Sequence, residues 1–251
     1  MFDLLIRNAQ VLDGTGAPAY LADVAVKDGE IAAVGKLSGE AAETVDAAGL
    51  TLAPGFIDVH GHSDFFMPLD PARASKLLQG VTTELCGQCG LGPAPVTEQN
   101  YPVYHKYLSQ QGIPMYPDDR TFTSFSAYLS RMEQTPAGIN LAYFIPHGTV
   151  RLAVMGFSHD APDDRQLAQM RELVEDAMQA GALGLSTGLA YAPGRFAATD
   201  ELAALTEPVG RYGGVYTSHL RDQGDQLEQS VQEAIDIARR GGARVNVSHH
   251  K

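Results

Sequence analysis

The chain has 251 residues, with 18 Lys plus Arg against 30 Asp plus Glu for a formal net charge of −12, and no basic cluster stands out, which argues against a nucleic-acid partner. Hydrophobic residues make up 44% and charged residues 19%, which excludes disorder, while two cysteines, Cys86 and Cys89, are too few for a disulfide framework. The N-terminus has no basic start or apolar leader and no apolar run reaches spanning length, so the expectation is a cytoplasmic protein with no membrane partner; composition does not speak to oligomeric state.

From Leu4 to about Asp46 the pattern is short strands and glycine turns. Strands are expected over Leu4 to Ala9, Gln10 to Leu12, Ala22 to Val26, Ile31 to Val34 and Glu43 to Asp46, with Lys27-Asp28-Gly29-Glu30 as a hairpin turn. Next comes Ala53-Pro54-Gly55-Phe56-Ile57-Asp58-Val59-His60-Gly61-His62, a short apolar strand that runs into two histidines. In extended backbone, side chains two positions apart share a face, so His60 and His62 would point the same way.

Beyond His62 the pattern alternates helices with apolar strands. A helix is expected over Pro71 to Leu78, a strand over Val81 to Cys86, and a long loop over residues 90 to 120. Thr121 or Thr123 would cap a helix to Glu133, and Ile139 to Phe144 is the next strand. Asp163 to Ala180 is the clearest helix, with Leu167, Met170, Leu173, Val174 and Met178 on one stripe and Gly181 as its stop. Ala182 to Ser186, Val215 to Ser218 and Ala243 to Ser248 read as strands, and Asp200 to Arg211 and Gln226 to Arg240 as helices. Six strands alternating with helices imply parallel pairing, in an open doubly wound sheet or a (β/α) barrel.

The polar residues favour the barrel. His60, Cys89, His147, His219 and His249 all lie at or just after different strand ends, as a catalytic rim requires, and no Gly-x-Gly-x-x-Gly follows a strand. The expected fold class is therefore α/β: a (β/α) barrel over residues 53–251, ending about two units short of eight, preceded by a small β unit over 1–52. His60, His62, His219 and His249 are candidate metal ligands, and neutral imidazole suits zinc. His249 shares the strand face of Val245 and Val247, which leaves His250 behind the site or packed under helices. Cys89 is read as a single thiolate ligand and Cys86 as a buried thiol. Tyr191 would touch substrate or pack under a loop; His147 would line the pocket or brace a loop. Arg221 and Lys251 could pair with a substrate carboxylate, with an Arg221–Asp222 surface pair as the plainer reading of the first.

These motifs, together with Gly80-Val81-Thr82-Thr83, Gln88-Cys89-Gly90, His147-Gly148-Thr149-Val150-Arg151, Gly184 to Tyr191, Ser218-His219-Leu220-Arg221-Asp222 and Ser248-His249-His250-Lys251, resemble the N-acyl-D-amino-acid deacylases of the amidohydrolase superfamily. The resemblance implies a metal-dependent hydrolase barrel beside a small β-sandwich, with the N-terminal strands as part of the latter. Carried over position by position, it makes Cys89, His219 and His249 ligands of a tightly bound zinc, with His60 and His62 forming an adjacent, weaker site. Cys89 would take the bridging role that hydantoinase-like and dihydroorotase-like relatives give to a carboxylated lysine, and Ala182 to Thr187 contains no lysine. Tyr191 and Lys251 would hold the substrate carboxylate.

The implied reaction is hydrolysis of an N-acyl-D-amino acid to a carboxylate and a free D-amino acid. The family's general-base aspartate has no counterpart here and is expected beyond residue 251, so the chain alone should turn over weakly or not at all. A cyclic-amide hydrolase and a catalytically silent zinc-binding fragment are the alternatives.

Overall fold

A computed structural model describes residues 1–66, 74–113 and 122–249. The chain divides into two units, Met1–Phe56 and Ile57–Lys251. The first contains β1 (Phe2–Val11), β2 (Tyr20–Lys27), β3 (Glu30–Gly35), β4 (Ala41–Asp46) and β5 (Thr51–Leu52), in one sheet of order β3-β2-β1-β4 with β5 also on β1. β1 is one strand where two are expected. Its register shifts between Ile6 and Ala9, with Asn8 at a φ of 61°. The Asn8 amide donates to Asp23 Oδ1 at 2.9 Å, so a bulge absorbs the change of pattern without ending the strand. Asp28 and Gly29 both take positive φ, at 53° and 79°, as a two-residue hairpin turn demands.

The strand β6 (Phe56–Asp58) leads into the second unit, followed by a 3-10 turn Ser63–Phe65, α1 (Ala74–Leu77), β7 (Val81–Cys86), α2 (Tyr101–Gln110), α3 (Phe125–Glu133), β8 (Asn140–Tyr143), β9 (Ile145–Pro146) and α4 (His147–Met155). Then come α5 (Asp164–Gln179), β10 (Gly184–Gly188), a 3-10 turn Gly194–Phe196, α6 (Thr199–Arg211), β11 (Val215–His219), α7 (Leu227–Gly241) and β12 (Arg244–Val247). The strands pair as β6-β7-β8 and β9-β10-β11-β12, with parallel register wherever β7 to β12 pair. Because β8 and β9 are separated only by Phe144, whose amide bonds the Cys86 carbonyl at 2.9 Å, neighbours succeed one another in chain order with no reversal. A doubly wound sheet would reverse at a switch point.

Helix α5 shows how the layers hold. Asp163 and Gln166 form a reciprocal capping box at its start, and Gly181 follows its end at a φ of 101°. Met170, Val174, Ala177 and Met178 are buried in a core shared with Ile145, Leu185, Leu202 and Tyr216, and each larger side chain contributes about 1.5–3 kcal/mol by leaving water.

Two helices are unexpected. α2 lies within the stretch read as loop, since Tyr101, Tyr104 and Leu108 form a buried stripe that the polar positions between them and Pro102 at its start conceal. α4 starts immediately after Pro146, at His147. The cap of α3 is Ser124, whose hydroxyl accepts the Ala127 amide at 3.1 Å, and not Thr123; Thr121 lies outside the described residues, as do Pro71 to Arg73 of the first expected helix. No helix among the described residues is long and apolar enough to cross a membrane.

Candidate metal centre

The strand β6 stops at Asp58, two residues before the first histidine, because the Asp58 carboxylate accepts the His60 amide at 3.1 Å and turns the chain. Strand alternation therefore does not aim His60 and His62; the turn does. On the neighbouring strand end the chain turns again through Gly87, Gln88, Cys89 and Gly90, and Cys89 takes a φ of 57°, uncommon for a side-chain-bearing residue. β10 holds this second turn: Ser186 Oγ donates to the Gly87 carbonyl and accepts the Gly90 amide at 3.1 Å. Tyr191 Oη donates to the Cys89 carbonyl at 2.6 Å.

Two overlapping donor groups result. His60, His62 and Cys89 form one and Cys89, His219 and His249 the other, each with ligand atoms within 4.8 Å of one another. Cys89 Sγ lies 3.2 Å from His60 Nε2 and 3.3 Å from His249 Nε2. The His219 and His249 rings are 4.4 Å apart, and Tyr191 stands edge-on to His219 at 5.1 Å. The expectation that His249 follows the alternation of Val245 and Val247 fails, since β12 ends at Val247 and His249 has a φ of 29°. Gln223 Nε2 meets His249 Nδ1 at 3.2 Å, which leaves Nε2 toward the sulfur.

The electrostatics suit lone-pair donors. Burial, with His62 and His249 alongside, lowers the His60 pKa to about 4, and burial lowers that of His62. Both imidazoles are neutral at pH 7 and available to a cation. Burial pushes the Cys89 thiol up to about 11, so it holds its proton until a metal displaces it. Imidazole with a single thiolate is a donor set for a borderline-soft divalent ion.

The other expected residues fall elsewhere. His147 is fully buried and braces the scaffold: its Nε2 lies 3.1 Å from Glu201 Oε1, while Arg151 Nη1 donates to Glu201 Oε2 at 2.5 Å. Burial pushes the Glu201 carboxyl up, but the hydrogen bonds and charges of His147 and Arg151 outweigh it and lower its pKa. Arg221 pairs not with Asp222 but with Glu233, which its Nε and Nη2 grip at 2.9 and 2.8 Å. Asp222 instead accepts the amides of Gly224 and Gln226 ahead of α7. Cys86 is fully buried at the end of β7. His250 and Lys251 lie outside the described residues.

Several contributors were not anticipated. Glu84 and Asp64 are fully buried beside the two turns, and burial raises the Asp64 pKa to about 7. Gln88 Nε2 donates to the Val59 carbonyl at 3.1 Å. An acid inside the apolar run Val81 to Cys86, and another two residues after His62, are the signals that could have found the carboxylates.

A sequence profile described as "Amidohydrolase family" matches residues 43–251. A D-aminoacylase of Alcaligenes xylosoxydans xylosoxydans is 39% identical over 251 residues, which is 100% of this chain and 51% of that protein. A D-aminoacylase structure concerned with the functional role of its binuclear metal centre superposes with a TM-score of 0.92 at 36% identity, over 100% of this chain and 52% of that one. The N-acyl-D-glutamate deacylase of Bordetella bronchiseptica, complexed with zinc and a phosphonate mimic of the reaction's tetrahedral intermediate, superposes with a TM-score of 0.91 at 37% identity over the same shares. The chain spans about half the length of the relatives it matches.

Proposed function

This chain belongs to the amidohydrolase family, and from that premise we propose that the protein hydrolyses the amide bond of N-acyl-D-amino acids with zinc as cofactor. Cys89, His219 and His249 would hold the tighter ion, and His60 with His62 the adjacent one, sharing the sulfur of Cys89. The observation that carries the reading is this shared atom: two donor groups from separate strand ends have one thiol in common. A binuclear centre and zinc in the two deacylase structures support it, as does a strand β10 whose residues, Gly184 to Gly188, are buried and offer no lysine to bridge two ions.

Zinc in such a site supplies Lewis-acid polarisation of the scissile carbonyl and lowers the pKa of water toward neutrality. The chain's own residues prepare the site for the ion. His60 and His62 arrive unprotonated, so no imidazolium has to be discharged before a cation enters. Cys89 gives up its proton on binding and thereby offsets part of the ion's charge. Tyr191 fixes the sulfur's turn through the Cys89 carbonyl; to recognise a substrate carboxylate its hydroxyl must leave that carbonyl. Arg221 is held by Glu233.

The succession of β6 to β12 is read as part of a (β/α) barrel formed by residues 53–251, with 1–52 as part of a small sandwich. A cytoplasmic location and small-molecule partners belong to the same reading, and the net charge of −12 argues against a nucleic-acid partner.

The test is a substrate panel on the protein carrying this chain, N-acetyl-D-amino acids against hydantoins and dihydroorotate, with zinc counted per chain. Release of free D-amino acids with bound zinc is expected. Hydrolysis of the cyclic amides alone, or a zinc content unchanged in Cys89→Ala, would reject the reading.

A further inference from the structure

The two metal-bearing turns are tied together by carboxylates that work in opposite directions. Glu84, on β7 ahead of the Cys89 turn, accepts the Ser63 amide of the histidine turn on Oε1 at 3.3 Å. Asp64, on the histidine turn, accepts the Gly87 amide of the cysteine turn on Oδ2 at 3.1 Å. Each side of the seam thus contributes a fully buried acid that takes a backbone N–H from the other. Two further bonds run across the same seam, from the Gly61 amide to the Leu85 carbonyl at 3.0 Å and from Gln88 to the Val59 carbonyl at 3.1 Å.

The fit around Glu84 is close. A Cβ at Gly61, between the two histidines, would lie 1.7 Å from Glu84 Oε1, so the carboxylate fills the space that a side chain there would need. Lys76 Nζ stands 3.6 Å from the same oxygen and also pairs with Asp58, the residue that turns the chain into His60. Burying two acids destabilises a fold unless each is bonded in return, and core packing alone would be served by apolar residues at both positions.

We propose that Glu84 and Asp64 are positioning residues that set the distance from the Cys89 sulfur to His60 and His62, and so determine whether the second ion binds. The inference rests on the metal reading above, and it goes beyond that reading in assigning the control of occupancy to two residues that touch no ion. Groups that orient ligands in this way are worth about 10–100-fold in metal affinity.

The experiment is a cobalt(II) titration of the metal-free protein, following the thiolate-to-cobalt absorption and the bound metal per chain, in wild type, Glu84→Ala, Glu84→Gln and Asp64→Ala. Wild type should take two equivalents. Glu84→Ala and Asp64→Ala should bind the first as before and the second about 10–100-fold more weakly, with Glu84→Gln, which keeps an acceptor oxygen for Ser63, recovering most of the loss. If Glu84→Ala does not fold, Glu84→Asp, which keeps the charge against Lys76 but shortens the reach, decides in its place. Two equivalents bound as in wild type by the variants overturn the inference, and so does an equal weakening of both equivalents in a folded variant. A wild-type protein that binds no cobalt removes the metal reading and this inference with it.

Discussion

His147 and His60 are the same residue type just past two different strands, β9 and β6, in opposite surroundings. His147 is enclosed with Glu201 and Arg151, and its imidazole and the guanidinium both meet the one carboxylate. His60 faces the sulfur of Cys89 and lies edge-on to the rings of His62 and His249, 5.5 and 5.1 Å away. The first group is held together by bonds to one carboxylate. The second gathers lone-pair donors around one another, an arrangement that gains most when a cation enters. A histidine at a strand end is thus read from its neighbours: an opposite charge points to a brace, and other donors to a candidate ligand.

The sharpest way to break this contrast is to remove the shared atom. Cys89→Ala should abolish both metal equivalents, an effect beyond the ~100-fold upper range for groups that only orient ligands, while leaving the cooperative urea transition in place; metal analysis and denaturation of the same sample check this. Glu201→Ala should do the reverse. Loss of one partner from a buried pair costs about 3–5 kcal/mol, so the urea midpoint should fall with the metal count unchanged.

The same pair gives a pH signature. The Glu201 carboxyl is lowered in the folded state, so its pairing stabilises the protein above the unfolded carboxylate range, near pH 4.3, and is lost as pH falls through the folded value. Glu201→Gln should flatten that part of the acid-unfolding curve. At the other cluster protons act on metal uptake. From about pH 7.5 to about pH 9, above ordinary imidazole titration and below the Cys89 value of about 11, log K for zinc should climb about one unit per pH unit, as one thiol proton is displaced. Calorimetry in buffers of different ionisation heat would count that proton, and a flat profile would mean that the sulfur is not a ligand. The smallest effect is expected from Tyr191→Phe, which removes one hydrogen bond to the Cys89 carbonyl and should cost about 1 kcal/mol in urea.

The strand succession was legible because β7, β8, β10, β11 and β12 are short apolar or β-branched runs closed by polar residues, and α5 because its cap, stripe and terminal glycine agree. α2 and α4 were hidden, the one by polar spacing and Pro102, the other because a helix beginning at His147-Gly148 looks like the exit of a strand. The identities of the clustered donors could be read from their positions after strands. Their aim could not, since it depends on turns after Asp58, Cys86 and Val247 where period-two reasoning no longer applies. Arg221 was misassigned because Glu233, a full turn and a half-helix later in the chain, reaches it only through the packing of α7.

Gly188, opposite His219 in the β10–β11 register, bears on how this protein can change over time. A methyl group there would come 2.2 Å from the Cys89 carbonyl oxygen and 2.3 Å from the Tyr191 hydroxyl. At that point the wall behind the sulfur is bare backbone, and a mutational scan should show a narrow intolerance: exposed helix faces accepting most replacements, while the smallest enlargement at residue 188 shifts the thiol and silences the centre.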